Sequence, residues 1–401
     1  MSSASRNSDP PAPARLSELI GQARATAVLS NAIRRDRVAH AYLFRGPESV
    51  GKSTAARLFA QTLNCEAAER AAGEACGECR SCRLIAKGNH PDVRLVTFAL
   101  NREGKKRTEI SIDQIRQNPR EPHETPRPLV QDAILRPALG GRKVYIIDPA
   151  DRMNPAAANA LLKVLEEPPP YVILVLVSSQ PAALLPTVLS RCQQVTFQLA
   201  GSAAIEERLQ SLGVEPATAA SLAALSGGRV GWAISASRRP EVLEVRRALL
   251  DLCAAVPALP LPAGLRLAEE IKQQGIRLAK ARAEEGAEDD EEEETTERGV
   301  TDRALRAELP WCLDVLALWY RDGLSAAQGG GLVNPDYAEA IRSSLAARPP
   351  RSYEGAIEAV LAARQQIQRN ANVDLALEAL ALRLLGGDED SGATRRRRSV
   401  A

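Results

Sequence analysis

Aromatic residues make up only 3% of this 401-residue chain. With Ala, Leu and Arg abundant, that scarcity favours helix over sheet in much of the chain. Long apolar runs are missing as well. The most hydrophobic stretch, Tyr171 to Val177, is too short to span a bilayer, which excludes a membrane-spanning helix. The opening residues MSSASRNSDPPAPARLSEL carry no apolar core of signal-peptide length, so the protein is expected to be cytoplasmic and not bound to a membrane. In that compartment the seven cysteines are expected to be reduced or metal-bound rather than paired as disulfides. Charge of one sign is also absent. A formal net charge of +2 gives no whole-molecule field that would announce a nucleic-acid binder, so any such role must be local. No repeat of fixed period is visible.

What is present describes a soluble globular protein, 45% hydrophobic and 25% charged. The length implies two or three domains. Residues 1–14 are polar and proline-rich and read as disordered. Over residues 15–199, short apolar runs (Ala41 to Phe44, Val93 to Val96, Val144 to Ile147, Val172 to Val177) alternate with helical patterns. This predicts an α/β fold on a mainly parallel sheet. Beyond residue 200 the strand signals vanish. Ala203 to Leu212, Ala217 to Leu225 and Ala263 to Gln274 show apolar residues at helical spacing, as do stretches 308–324, 352–373 and 374–386. Trp311, Trp319 and Tyr320 in those stretches read as core rather than as a base-stacking platform. Three biased segments interrupt the pattern: a proline-rich insertion at 117–131, an acidic run at 283–298 expected as a solvated loop, and a tail at 387–401 ending in Arg395 to Arg398. That tail is either a solubilising extension or a local contact for nucleic acid.

Gly46 to Ser53, GPESVGKS, fits the phosphate-loop pattern without a mismatch, with AYLFR before it as a strand and STAARLFAQTLN after it as a helix. Gly46 and Gly51 let the backbone curl around phosphates, Lys52 reaches the β- and γ-phosphates, and the Ser53 hydroxyl is placed to ligate magnesium. Asp148, at the end of the run Val144 to Ile147, supplies the carboxylate such a metal needs. Many ATPases place a water-orienting glutamate next, where this chain has Pro149; Asp151, three residues on, is expected to point elsewhere. Binding of ATP or ADP with magnesium is therefore expected, and hydrolysis is a separate question.

Cys65, Cys76, Cys79 and Cys82 lie at C-x10-C-x2-C-x2-C spacing. Four thiolates so close satisfy tetrahedral zinc, and with no His at matching spacing the site reads as structural. An iron–sulfur cluster or unliganded thiols remain open on ligand type. Cys192, Cys253 and Cys312 sit in apolar surroundings and read as packing residues.

These motifs, in this order, resemble the AAA+ clamp-loader subunits of bacterial DNA polymerase III. The likeness runs through IGQARATAVLSNAIRRDRVAHAYLFRGPESVGKS, the cysteine module, ISIDQIR, NALLKVLEEPPP and LLPTVLSRCQQV, closely over about residues 16–235 and loosely beyond. It implies a P-loop αβα domain (15–199, with a zinc module at 65–82), a helical lid (200–245) and an all-α collar (246–386) that assembles a five-membered ring with tau/gamma and delta subunits. That ring loads a sliding clamp onto primer-template DNA. The resemblance also implies that Arg191 reaches across a subunit boundary to a neighbour's ATP as an arginine finger, and that Ser179 occupies a polar sensor position. The plain alternative for Arg191 is a surface ion pair. Pro149 departs from the motor pattern, and the motor's nucleotide-sensing arginine falls at about Gly231, with Arg229 two residues away. Those departures resemble the delta-prime type, which turns over little or no ATP, more than the hydrolysing tau/gamma motor. A small-molecule P-loop kinase fits less well, because the Ser190-Arg191-Cys192 block and the helical collar argue against it. Asn159 and Lys163 share a helix face that is either solvated or turned to a phosphate backbone.

Overall fold

A computed structural model describes residues 15–99, 107–116, 127–139, 141–286, 302–347 and 350–386. The N-terminus (1–14), the insertion over 117–126, the acidic run from 287 and the tail (387–401) lie outside the described residues. The chain divides into two compact units, Met1–Ile234 and Ser235–Ala401. The boundary falls inside the segment 200–245 read as a lid.

Among its described residues the first unit holds one parallel sheet of five strands: β1 (Ala41–Arg45), β2 (Val93–Val96), β3 (Lys143–Ile147), β4 (Val172–Ser178) and β5 (Gln193–Thr196). Their order is β2-β3-β4-β1-β5. The central strand β4, VILVLVS, is buried along its whole length, as a strand covered on both faces must be. Alternation then sends successive side chains to opposite layers. Tyr42, Phe44, Ile173, Val175 and Val177 pack under α1 (Ala23–Arg34) and α2 (Lys52–Asn64). Phe59 of α2 stands edge-on to Tyr42 at 5.1 Å between ring centres. Leu43, Tyr145, Ile147, Leu174 and Leu176 face the other layer. That layer comprises α4 (Ile112–Ile115), α5 (Leu129–Ala133), α6 (Pro155–Glu166) and α7 (Pro186–Leu189), with α3 (Arg80–Ala86) inside the cysteine module. A fully buried side chain of this size contributes about 1.5–3 kcal/mol, so the two layers dominate the stability of this unit.

The four strands expected from apolar runs are all present. β5, QQVT, carries no such signal, because it is an edge strand in which only Val195 is buried. Leu129 to Gln131, read as the end of the proline-rich insertion, instead open α5, with Leu129 buried. Asn154 caps α6 as its sequence predicts, its Oδ1 accepting the Ala157 N–H at 2.8 Å, with Pro155 in the first turn.

No strand follows β5 among the described residues. α8 (Ser202–Ser211) and α9 (Pro216–Leu225) belong to the first unit, and the boundary between units falls within α10 (Val230–Ser237). The second unit is helical throughout: α11 (Pro240–Ala255), α12 (Gly264–Gly286), α13 (Asp302–Ala327), α14 (Ala338–Ala347), α15 (Pro350–Gln368) and α16 (Val373–Gly386). α12 continues to Gly286, so the first residues of the acidic run are helical rather than loop. The stretch 352–373 does not form one helix; α15 stops at Gln368 and Asn370 takes a left-handed φ of 63° before α16 begins. Trp311, Trp319 and Tyr320 are core residues, as expected. A Cβ at Gly323 would lie 2.3 Å from the Tyr353 ring, so glycine is what lets α13 approach α15. The buried Arg246 guanidinium grips Asp336 at 2.7 Å through two nitrogens and also reaches Asn334, so its charge is paired inside the bundle. No helix of the described residues is long and apolar enough to cross a membrane.

Candidate functional site

In a sheet with this order, the connection leaving β1 runs toward β2 at one edge while the one leaving β4 runs past β1 to β5 at the other, and such a change of direction opens a crevice at the carboxyl ends of the strands. The loop Gly46 to Ser53 leaves β1 there. Gly46 has φ 148°, and a Cβ on it would stand 2.3 Å from the Phe197 carbonyl oxygen, so this loop crosses beside β5 only because position 46 is glycine. Gly51, at φ 96°, turns the chain into α2, which starts without a side-chain cap. Uncapped first-turn amides are the groups that a phosphate satisfies.

Lys52 is 6% exposed, and its Nζ donates to Gly46 O at 2.9 Å and to Pro47 O. The Ser53 hydroxyl donates to the Asp148 carboxylate, so the two expected magnesium ligands are in direct contact. Burial pushes the Lys52 ammonium below its ordinary pKa, against the pull of Asp148, Glu48 and Asp151. Burial likewise raises Asp148, opposed by the Ser53 hydrogen bond and the Lys52 charge. A bound divalent cation would favour the ionised carboxylate at this point.

Asp151 lies near enough to Lys52 and Asp148 to act on both charges. Its Oδ1 accepts the Ser179 backbone N–H at 3.1 Å and so ties the turn after β3 to the end of β4. The Ser179 hydroxyl donates to Glu48 Oε1 at 3.4 Å, which brings this predicted sensor residue against the phosphate loop. Pro149, joined to Asp148 by a cis peptide, offers no carboxylate where a water-orienting group would stand.

Two contacts carry no local sequence signal. The Gly231 N–H donates to Ser49 O at 2.7 Å, so the start of α10 rests directly on the phosphate loop. A Cβ at Gly231 would lie 3.1 Å from that same oxygen, and Ser49 itself holds a left-handed φ of 59°. Where an arginine was expected in a motor subunit, this chain therefore makes a backbone contact. Arg229 turns back instead, its Nε donating to Ser226 O at 3.1 Å. Gln22 is the second case. Its amide donates to Gln198 O at 2.7 Å and Val50 O at 3.3 Å and accepts from Gln198 N at 3.0 Å, binding the phosphate loop to the segment that follows β5. A lone glutamine inside IGQAR gives no hint of burial.

The four cysteines converge, with all four Sγ atoms within 4.8 Å of one another. Zinc at ~2.3 Å from each sulfur needs sulfurs about 3.8 Å apart, and Cys76 and Cys82 already stand at 4.0 Å. Backbone N–H groups of Cys76, Cys79 and Cys82 donate to the sulfurs of Cys65, Cys76 and Cys79 at 3.3–3.4 Å, the pattern that supports thiolates. The Cys79 N–H in particular draws the Cys76 thiol down to about 7, while burial pushes Cys65 and Cys82 up. The donor set fits a metal.

Arg191 lies apart from these groups. It follows α7, with Nη1 on Thr187 O at 3.1 Å and Nη2 2.9 Å from Glu166 Oε1. Asn159 and Lys163 are both exposed on α6, as their spacing predicts.

The family model described as DNA polymerase III, delta subunit, matches residues 21–200. The delta' subunit of DNA polymerase III from Bacillus subtilis (strain 168) is 32% identical over 369 residues, which is 91% of this chain and 97% of that protein. The chain belongs to the DNA polymerase III delta' family. The delta' subunit of Pseudomonas aeruginosa is 41% identical over 56% of this chain and 67% of its own length. Bacillus subtilis DNA polymerase III subunit tau is 34% identical over 59% of this chain but only 40% of its own length. This delta' family chain thus matches nearly the whole length of another delta' but only part of a tau subunit.

The loop geometry gives a direct test. Gly46→Ala should destabilise the first unit by about 2–4 kcal/mol, because the new methyl meets a backbone carbonyl with nowhere to move. Thermal unfolding followed by circular dichroism would read this as a lowered first transition, and an unchanged transition would contradict the close approach.

Proposed function

We propose that this chain is a delta-prime-type clamp-loader subunit that binds ATP or ADP with magnesium, turns over little of it, and donates Arg191 to an ATPase subunit beside it. The observation that carries the reading is the pairing of a complete phosphate-binding set with no carboxylate at Pro149. Gly46 and Gly51 shape the loop, Lys52 meets the phosphates, Ser53 and Asp148 would hold magnesium, and Ser179 sits beside them through Glu48 and Asp151. Magnesium supplies charge neutralisation between phosphates; the chain's own groups bind and orient. The backbone contact of Gly231 with Ser49, in place of an arginine, supports the same conclusion.

Family membership supports the assembly: a ring with tau/gamma and delta subunits that loads a sliding clamp onto primer-template DNA in the cytoplasm. The division into P-loop domain (15–199), lid (200–245) and collar (246–386) belongs to this proposal, as does the use of Lys163 and Asn159 against a phosphate backbone. An arginine supplied across a boundary makes hydrolysis depend on assembly, since the guanidinium stabilises charge that develops only in the transition state. The intact phosphate loop favours a second reading, an ATP-hydrolysing motor of the tau/gamma type.

In a complex reconstituted with the cognate tau/gamma and delta subunits, Arg191→Ala should lower DNA-stimulated ATP turnover by roughly tenfold or more at unchanged assembly. Equal turnover by wild type and variant complexes would remove the arginine-donor role. The cysteine module should hold one zinc. Mass spectrometry under native conditions should show its loss in Cys82→Ala, with earlier melting of the first unit after chelation. Iron with visible absorbance would instead mark a cluster.

A further inference from the structure

We infer that Glu166 is a positioning residue for the Arg191 guanidinium, holding it ready for the phosphate of a neighbouring nucleotide. The inference rests on the arginine-donor reading and adds to it the group that makes the arginine competent.

Glu166 is the last residue of α6, and the three prolines 168–170 prevent the helix from continuing. A carboxylate at a helix C-terminus faces the negative end of the helix dipole and is out of place there on local grounds. Its compensation is Arg191, whose Nη2 lies 2.9 Å from Glu166 Oε1. Arg191 comes from a different element, the turn after α7, and the Thr187 carbonyl takes its Nη1 at 3.1 Å. Two acceptors on two nitrogens, one of them a backbone carbonyl, therefore set the plane of the guanidinium. Of its five N–H groups, those not used by Glu166 and Thr187 remain for an anion from outside. The side chain is 36% exposed, open enough to be approached, and Glu166 is 51% exposed. A pair this open contributes little to folding, because solvent screens it and two long side chains lose freedom to form it. Its consequence is orientation: the fork is held before a partner arrives, so less ordering remains to be done when the phosphate is met.

The test is steady-state ATP turnover of the reconstituted complex containing wild type, Glu166→Gln, Glu166→Ala, Arg191→Ala or the double variant, with assembly followed by gel filtration. Glu166→Ala should lower kcat roughly fivefold at unchanged KM, Glu166→Gln should lose less, and Glu166→Ala should cost nothing further once Arg191 is alanine. Glutamine keeps the size of the side chain, so it remains informative if the alanine variant folds or assembles poorly. Full turnover in both Glu166 variants, increased turnover, or independent losses in the double variant would overturn the inference while leaving the arginine donor intact. Full turnover in Arg191→Ala would overturn both.

Discussion

Burial of the parallel sheet on both faces is the constraint from which the site follows. With β4 and β1 covered by helix on either side, polar chemistry can occur only where strands end, and there the chain places the Gly46 to Ser53 loop, Asp148 and Ser179. The sheet order brings three separate strand ends to one crevice, although more than a hundred residues separate Lys52 from Ser179 in sequence. Lys52 is a buried charge and Asp148 a half-buried one, and this arrangement supplies both with partners. Lys52, Ser53 and Asp148 also belong to the proposed phosphate-binding set, so the groups that hold the loop together are those that would meet a nucleotide.

The surrounding contacts bear on the loop rather than on chemistry. Gln22 ties Val50 to Gln198, the Gly231 amide takes the Ser49 carbonyl, and Asp151 secures the end of β4. Asp151 does this with one carboxylate oxygen, Oδ1. In the proposed reading, such a site would grip phosphates and lacks a carboxylate at position 149 to activate a nucleophile. The group suited to transition-state charge, Arg191, is held outside it by Thr187 and Glu166.

Most of the site was legible in the sequence because its determinants are local. The phosphate loop reads from spacing, the Asn154 cap from its neighbours, and the cysteine cluster from four thiols within eighteen residues. Four of five strands announced themselves through apolar runs. β5 did not, since an edge strand with one buried residue has no pattern to show. The contacts of Gln22, Gly231 and Glu166 were illegible for a different reason. Each joins residues distant in sequence through one to three hydrogen bonds, and at Gly231 the informative property is a missing side chain. Those are facts of tertiary geometry, where a glycine or a glutamine means something only beside its partner.

The central claim is that the chain binds nucleotide without turning it over, and the isolated protein tests it most directly. ATP binding and hydrolysis would be measured on one preparation, by titration calorimetry and by phosphate release, for wild type and Lys52→Ala. The account expects magnesium-dependent binding that Lys52→Ala abolishes, with no phosphate release above background in either protein. Steady phosphate release by wild type that disappears in Lys52→Ala would contradict it, and would assign hydrolysis to a site with proline beside its metal carboxylate.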